Sequence, residues 1–201
     1  MRLLRQATRL VKKEQNLLVV ISAPSGAGKT TLCRKLLEDF PNLTLSISST
    51  TRSPRGTERE GVDYYFLSRE DFEKQIQENH FLEWALVHGN YYGTSRAMVE
   101  TAFQAGKSVL LDIDVQGAEQ LRNVLPERCL SIFIAPPSLE ELEARLIARG
   151  TDKPEVIQKR MIRAKVEMEE RNRFSHVIVN KELEQAYSEL KNILESKLRL
   201  K

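Results

Sequence analysis

At 201 residues the chain has the length of one compact domain, or of one core carrying small inserted lobes. Apolar residues at 41% suffice for a core, and charged residues at 29%, with both signs interspersed, exclude a disordered tail. The net charge of +3 suits a small anionic substrate and is too weak for a nucleic-acid track. The two cysteines, Cys33 and Cys129, form no CxxC pair and point to buried thiols in a reducing compartment, the cytoplasm. No apolar run approaches the roughly 18 residues of a membrane span, so no membrane partner is expected.

Residues 1–16 are expected to form a basic extension. Arg2, Arg5, Arg9 and Lys12 recur at near-helical spacing opposite Leu3, Leu10 and Val11. A transit peptide or surface-lying helix has this character, but the segment is short and runs directly into the fold. An amphipathic arm packed on the domain, or frayed, fits it better.

Leu17–Ser22 is the first candidate buried strand. Ala23-Pro24-Ser25-Gly26-Ala27-Gly28-Lys29-Thr30 follows at once, and then a helix that stops before Pro41. Strand, glycine-rich loop and helix in that order are the setting of a P-loop. Its glycines let successive backbone N–H groups turn toward one centre and cradle phosphate oxygens. Lys29 is placed to bridge β- and γ-phosphates, and the Thr30 hydroxyl to ligate Mg²⁺. Ala23 stands where glycine is usual, which requires an ordinary backbone conformation there.

A second strand is expected at Leu43–Ser48. From about Ser49 to Tyr92 the rhythm breaks, and the runs Tyr64–Leu67 and Phe81–Val87 suggest a local antiparallel sheet in an inserted lobe. A helix over Ser95–Ala105 ends with Gly106 as its C′ residue. The strand Ser108–Ile113 carries Asp112 and is followed by Asp114; an acid at that strand end suits Mg²⁺ positioning through water. Leu130–Ala135 and His176–Val179 are further strands. Ser138-Leu139-Glu140-Glu141 reads as a capping box opening a helix that ends near Gly150, and Pro154 sits in the first turn of the next. Ala186, Leu190, Ile193 and Leu194 mark a closing amphipathic helix. Strands alternating with helices imply an α/β fold, a three-layer α/β/α core around a five-stranded parallel sheet.

Several blocks together resemble the guanylate kinase family of P-loop nucleoside monophosphate kinases. They are Ser48-Ser49-Thr50-Thr51-Arg52-Ser53-Pro54-Arg55-Gly56-Thr57-Glu58, Gly61-Val62-Asp63-Tyr64-Tyr65-Phe66, Phe81-Leu82-Glu83-Trp84-Ala85, Gly89-Asn90-Tyr91-Tyr92-Gly93-Thr94 and Asp112-Ile113-Asp114-Val115-Gln116-Gly117. Ile134-Ala135-Pro136-Pro137-Ser138 and Arg149-Gly150-Thr151 extend the match, which runs from Leu17 to the C-terminus.

The resemblance implies ATP and GMP as substrates, with Mg²⁺, and a P-loop from Ala23 through Thr31 holding ATP. It implies Arg52, Arg55, Tyr64 and Tyr92 around the GMP phosphate, where each arginine can fork onto two oxygens. It places Glu83 and Asp114 at the base, and Ser48 and Thr94 on the O6 side. Glu58 joins this GMP-binding set. Guanine offers N1–H and N2–H₂ donors to the Glu83 carboxylate, whereas adenine would set an acceptor against it. A lid over 138–173 is implied to bring Arg149 and Arg160 to the phosphates, with Arg145 and Arg163 beside them, and Asn180 to lie near adenine. The implied division is a core of 17–47, 93–137 and 174–201, a GMP-binding lobe of 48–92, and that lid. Lys29, Arg52, Arg149 and Arg160 are the expected catalytic cations; the nucleophile is already anionic and needs no base.

A catalytically silent protein-binding module of the same fold is an alternative, as is a P-loop kinase for another monophosphate. Intact Gly-Lys-Thr and both acceptor arginines weigh against the first. The sequence leaves monomer and homo-oligomer equally open. It also leaves dGMP open, since no residue clearly reads the ribose 2′-hydroxyl.

Overall fold

The computed structural model describes residues 16–87, 89–150 and 152–198. The basic arm, apart from Asn16, and Thr151 lie outside the described residues.

A parallel sheet of five strands runs in the order β2-β7-β1-β8-β9. Its members are β1 (Leu18–Ser22), β2 (Leu43–Leu45), β7 (Ser108–Asp112), β8 (Cys129–Ala135) and β9 (His176–Val179). Alternate residues on each strand point to opposite layers. Val19, Ile21, Leu110, Ile132 and Ile134 pack with helices α1 (Lys29–Asp39) and α7 (Leu183–Leu198) on one face. Leu18, Val20, Val109, Leu111 and Phe133 pack with α3 (Arg96–Gln104) and α4 (Val115–Val124) on the other. Both faces are covered, which is why these strands read as continuous apolar runs. β1 lies between β7 and β8, so the chain leaves it toward one side of the sheet and later crosses to the other. The carboxyl end of such a strand is where α/β sheets open a binding crevice.

The stretch expected to form one strand at Leu43–Ser48 divides. β2 ends at Leu45, and β3 (Ser49–Thr50) begins a second sheet. That sheet has the order β4-β3-β6-β5, with β4 at Tyr65–Phe66, β5 at Phe81–Val87 and β6 at Asn90–Ser95. It is mixed, correcting the expected antiparallel arrangement: β3 pairs with β4 in parallel, and only the β3–β6 and β5–β6 pairs are antiparallel. The parallel pair is possible because the long 51–64 connection returns the chain to the same end of the sheet. Helix α2 (Arg69–Gln77), capped by Ser68 Oγ accepting from Asp71 N at 3.0 Å, covers the lobe. Phe72 on it stacks on both Phe81 and Tyr91, with ring centres 4.4 and 5.2 Å away.

Between β8 and β9, α5 (Leu139–Ala148) and α6 (Pro154–Glu169) bury Leu142, Leu146, Ile157 and Ala164 against each other. This pair has a small core of its own. Ser138 Oγ caps α5 by accepting from Glu141 N at 3.1 Å, while the Glu141 carboxylate turns to Arg145 instead of completing the reciprocal half of a capping box. Cys33 and Cys129 are free; burial pushes their thiols up to about 12 and about 11, which makes them poor nucleophiles. Among the described residues no helix is long and apolar enough to cross a membrane.

Candidate active site

The loop after β1 turns through Gly26 and Gly28, with φ of 105° and 94°. Both conformations favour glycine. Ala23 has no positive φ, so the alanine fits where glycine is usual. A side chain at Gly28 would collide with Asn180 Nδ2. Asn180, only 4% exposed, donates that amide to Ala27 O at 2.7 Å, while its backbone N–H bonds Ala135 O at 2.8 Å. It therefore ties the underside of the loop to the end of β8.

Lys29 opens α1 and forms an ion pair with Asp112 at the end of β7. Burial disfavours its charge, but the Asp112 carboxylate outweighs that and the ammonium's pKa is raised. The lysine thus stays charged and finds a carboxylate where a phosphate can replace it. Thr30 is exposed beside it, on the same cleft as Asp112. No group of three or more His, Cys, Asp or Glu side chains able to hold a metal occurs among the described residues. One hydroxyl and one carboxylate facing a phosphate cradle suit Mg²⁺, which keeps waters and takes most other ligands from phosphates.

On the inserted lobe, Arg52 is 8% exposed. Its Nη2 donates to Glu58 Oε1 at 2.9 Å and its Nη1 to Ser53 O at 2.8 Å, with its guanidinium 5.2 Å from the Tyr64 ring centre. The Glu58 hydrogen bond raises the Arg52 pKa further, against burial and with help from Tyr92. Glu58 is held low in turn by Arg52 and by the Arg55 N–H, which it accepts at 2.8 Å. Glu58 thus holds the Arg52 side chain and the Arg55 backbone, and a carboxylate has no attraction for a phosphate.

Glu83 lies deeper, 4% exposed, and accepts from Thr94 Oγ1 at 2.5 Å. Burial pushes its carboxyl up to about 7, the Thr94 hydroxyl resisting and the Asp114 charge adding to the rise. Gly117 makes room for it, since a Cβ there would stand 2.5 Å from Glu83 Oε2. A glycine inside the first turn of a helix is unfavourable by about 1 kcal/mol against alanine, and this close approach is its reason. Asp114 caps that same turn, accepting from Gly117 N at 3.0 Å. Ser48 is half-buried just before β3 and gives its carbonyl to Tyr65 N at 3.0 Å.

Helices α5 and α6 supply cations. Arg160 Nη1 lies 3.4 Å from Ser25 Oγ on the P-loop and 3.3 Å from Asp152. Arg163 pairs with Glu167 at 3.1 Å and with Asp114 at 3.5 Å. Arg145 points elsewhere: it donates to Asn180 O at 3.1 Å and Lys181 O at 3.3 Å, tying α5 to the loop after β9. A cleft of about 620 Å³ joins these parts. Lys29, Thr30 and Asp112 line one wall, Arg55, Tyr64 and Tyr92 a second, and Arg149, Arg160 and Arg163 a third. Arg52, Glu83, Thr94, Asp114, Ser48, Asn180 and Arg145 are not among the residues lining it.

Lys159 and Glu167 also face this cleft and were not singled out in the sequence. Their spacing from Arg160 and Arg163 on one helix was the available signal. Glu167 is buried, and burial raises its pKa against the pull of Arg163 and Lys29.

The guanylate kinase family model matches residues 15–197. A guanylate kinase of Desulfitobacterium hafniense is 49% identical over 183 residues, covering 90% of this chain and 91% of that one. One of Idiomarina loihiensis is 51% identical over 179 residues, covering 88% and 85%. The crystal structure of guanylate kinase from Anaplasma phagocytophilum superposes with a TM-score of 0.77 at 36% identity, covering 94% of this chain and 89% of that one. With a P-loop, the second sheet's loops and the helices α5 and α6 meeting around one cleft, and with relatives of this closeness along nearly its whole length, the chain belongs to the guanylate kinase family.

Proposed function

We propose that the chain transfers the γ-phosphoryl group of ATP to GMP, giving ADP and GDP, as a cytoplasmic enzyme of purine nucleotide metabolism. The observation that carries this reading is the shared cleft, in which Lys29 at the start of α1 and Arg55 in the loop after β3 face the same space. A triphosphate on the P-loop and a monophosphate on the lobe then point at one another. A coupled assay with ATP and a panel of nucleoside monophosphates tests it: ADP formation should require GMP, and an equal response to AMP, UMP or CMP would overturn it.

Each side chain then has a task. The loop from Ala23 to Thr31 wraps the ATP phosphates, and Lys29 exchanges Asp112 for the β- and γ-oxygens. Thr30, with Asp112 through water, would hold Mg²⁺, which when bound draws charge from the β- and γ-phosphates. Arg52, oriented by Glu58, and Arg55 hold the GMP phosphate with the Tyr64 and Tyr92 hydroxyls. Arg149 and Arg160 close from the lid to offset charge on the transferring group. Asp114, Ser48 and Thr94 surround the base with Glu83. Core, lobe and lid correspond to 17–47 with 93–137 and 174–201, to 48–92, and to 138–173, the lobe's sheet continuing through Ser95 along β6. Closure excludes water, which would otherwise take the phosphoryl group.

Asn180 serves ATP from beneath the loop, through Ala27 O. Asn180→Ala is expected to raise KM for ATP about tenfold while leaving KM for GMP nearly unchanged, because one buried donor is lost at the P-loop alone. Initial-rate measurements with each substrate varied in turn check this.

The position of Glu83 also predicts a pH response. Guanine donates to it, so the carboxylate is the competent form, and with a carboxyl near 7 in the empty protein KM for GMP should rise as pH falls through that value. GMP's own phosphate titrates near about 6, so Glu83→Gln supplies the baseline, and its profile should lack the Glu83 component. For stability the sign is opposite. Glu83 binds its proton more tightly folded than unfolded, so ionisation destabilises the empty protein. That penalty is absent below the ordinary carboxylate range, grows as pH rises from there to about 7, and is constant above it. Thermal melts of the empty protein should therefore show a fall in Tm across that window, which Glu83→Gln flattens.

A further inference from the structure

We infer that Gln120 is a positioning residue for Glu83 and so sets the selectivity for guanine; this rests on the reading of Glu83 as the acceptor for the base. β5 is the outermost strand of the second sheet, so one side of its backbone has no strand neighbour. Gln120, on α4, fills that side at a single point. Its Oε1 accepts from Trp84 N at 3.2 Å and its Nε2 donates to Trp84 O at 2.7 Å. The side-chain amide thus imitates a partner strand for one residue.

The residue it grips is the one after Glu83. The Trp84 N–H belongs to the peptide unit that joins Glu83 to Trp84, so the first of these bonds fixes the backbone from which the Glu83 side chain departs. The strand needs such an anchor here. Its register with β6 shifts between Phe81 and Glu83, a bulge that re-aims the following side chain and interrupts the ladder. Three residues earlier on the same face of α4, Gly117 lets the helix approach Glu83 Oε2 closely. One helix face therefore meets Glu83 twice, at the carboxylate through a missing side chain and at the backbone through an added one. Asp114, the residue that caps that helix, acts on the same carboxylate.

Gln120 does not line the cleft, and both of its hydrogen bonds are to the backbone of Trp84, the residue next to Glu83. The distinguishing readout is the ratio of kcat/KM for GMP to that for IMP. IMP keeps N1–H and O6 but lacks the 2-amino group, so a well-placed carboxylate rewards GMP and a displaced one does not. Both rates come from one preparation, so the ratio is independent of the folded fraction. Gln120→Leu and Gln120→Met remove both hydrogen bonds while keeping bulk. Each is expected to lower the GMP-to-IMP ratio about tenfold, with KM for ATP within about twofold of the parent. An equal loss for GMP and IMP in both variants would overturn the proposal and leave Gln120 a purely structural brace. Glu83→Gln, measured alongside, separates the two levels. If it collapses the ratio and the Gln120 variants do not, only the positioning role fails. If it leaves the ratio unchanged, the reading of Glu83 fails and the proposal with it.

Discussion

Lys29→Ala is expected to lower kcat about a thousandfold or more while the protein stays folded. The ammonium is the only side-chain cation that the P-loop itself contributes at the end of β1, and in the proposed reaction it faces the charge that builds on the transferring phosphoryl group. The loop's backbone donors and Gly26 and Gly28 remain in the variant, so ATP still binds, more weakly. Asp112 loses its partner, but its side chain is 33% exposed and water can take the place of the lysine. The stability change should therefore be small, since an ion pair with solvent access contributes about 1 kcal/mol or less. Single-turnover kinetics with a circular dichroism melt check both halves. Turnover like the parent's would remove Lys29 from the chemistry, and a collapsed melt would make its role structural.

Glu83→Gln is expected to lower kcat/KM for GMP by at least about a hundredfold and to leave ATP affinity unchanged. The substitution keeps the shape but turns one oxygen into an NH₂ group. A donor then faces the N1–H and N2–H₂ donors of guanine in a buried site, where neither side finds water. Thr94 Oγ1 can still donate to the remaining oxygen, so the local packing survives. Titration calorimetry with GMP and with a non-hydrolysable ATP analogue separates the two affinities. Equal weakening of both would mean that Glu83 braces the lobe and does not read the base.

Much of this was legible in the chain because the signals are local. A strand ending at Ser22, a loop with Gly26 and Gly28, and a helix opening at Lys29 lie within about twenty residues, and each needs only its neighbours to be recognised. The apolar runs of the parallel sheet were equally readable, since strands buried on both faces carry no alternation to misjudge. Ser138 before Glu141, and Gly106 after α3, marked helix ends by chemistry that acts over one turn.

What was not legible depended on distant partners. The run from Leu43 to Ser48 reads as one strand, yet β2 follows β7 while Ser49 turns to β6, and nothing in the run itself shows that division. The parallel pairing of β3 with β4 was hidden because Thr50 and Phe66 are joined only after a long loop. Asn180 under the P-loop, Gln120 on Trp84 and Arg145 on the Asn180 carbonyl are each contacts across many residues of chain. Residue type gives no warning of them. Gly117 did carry a signal, a glycine where a helix disfavours one, whose cause appears only when Glu83 is seen against it.

The central claim is that one cleft holds both nucleotides with their phosphates facing. A compound joining adenosine and guanosine through five phosphates spans that arrangement in a single molecule. Its dissociation constant should lie at least about a hundredfold below that of either ATP or GMP, because a second site is engaged without a second loss of free motion. Lys29→Ala and Arg52→Ala should each erase most of that gain. Affinity no better than that of one nucleotide alone would show that the two sites do not face each other, and direct transfer between them would have to be abandoned.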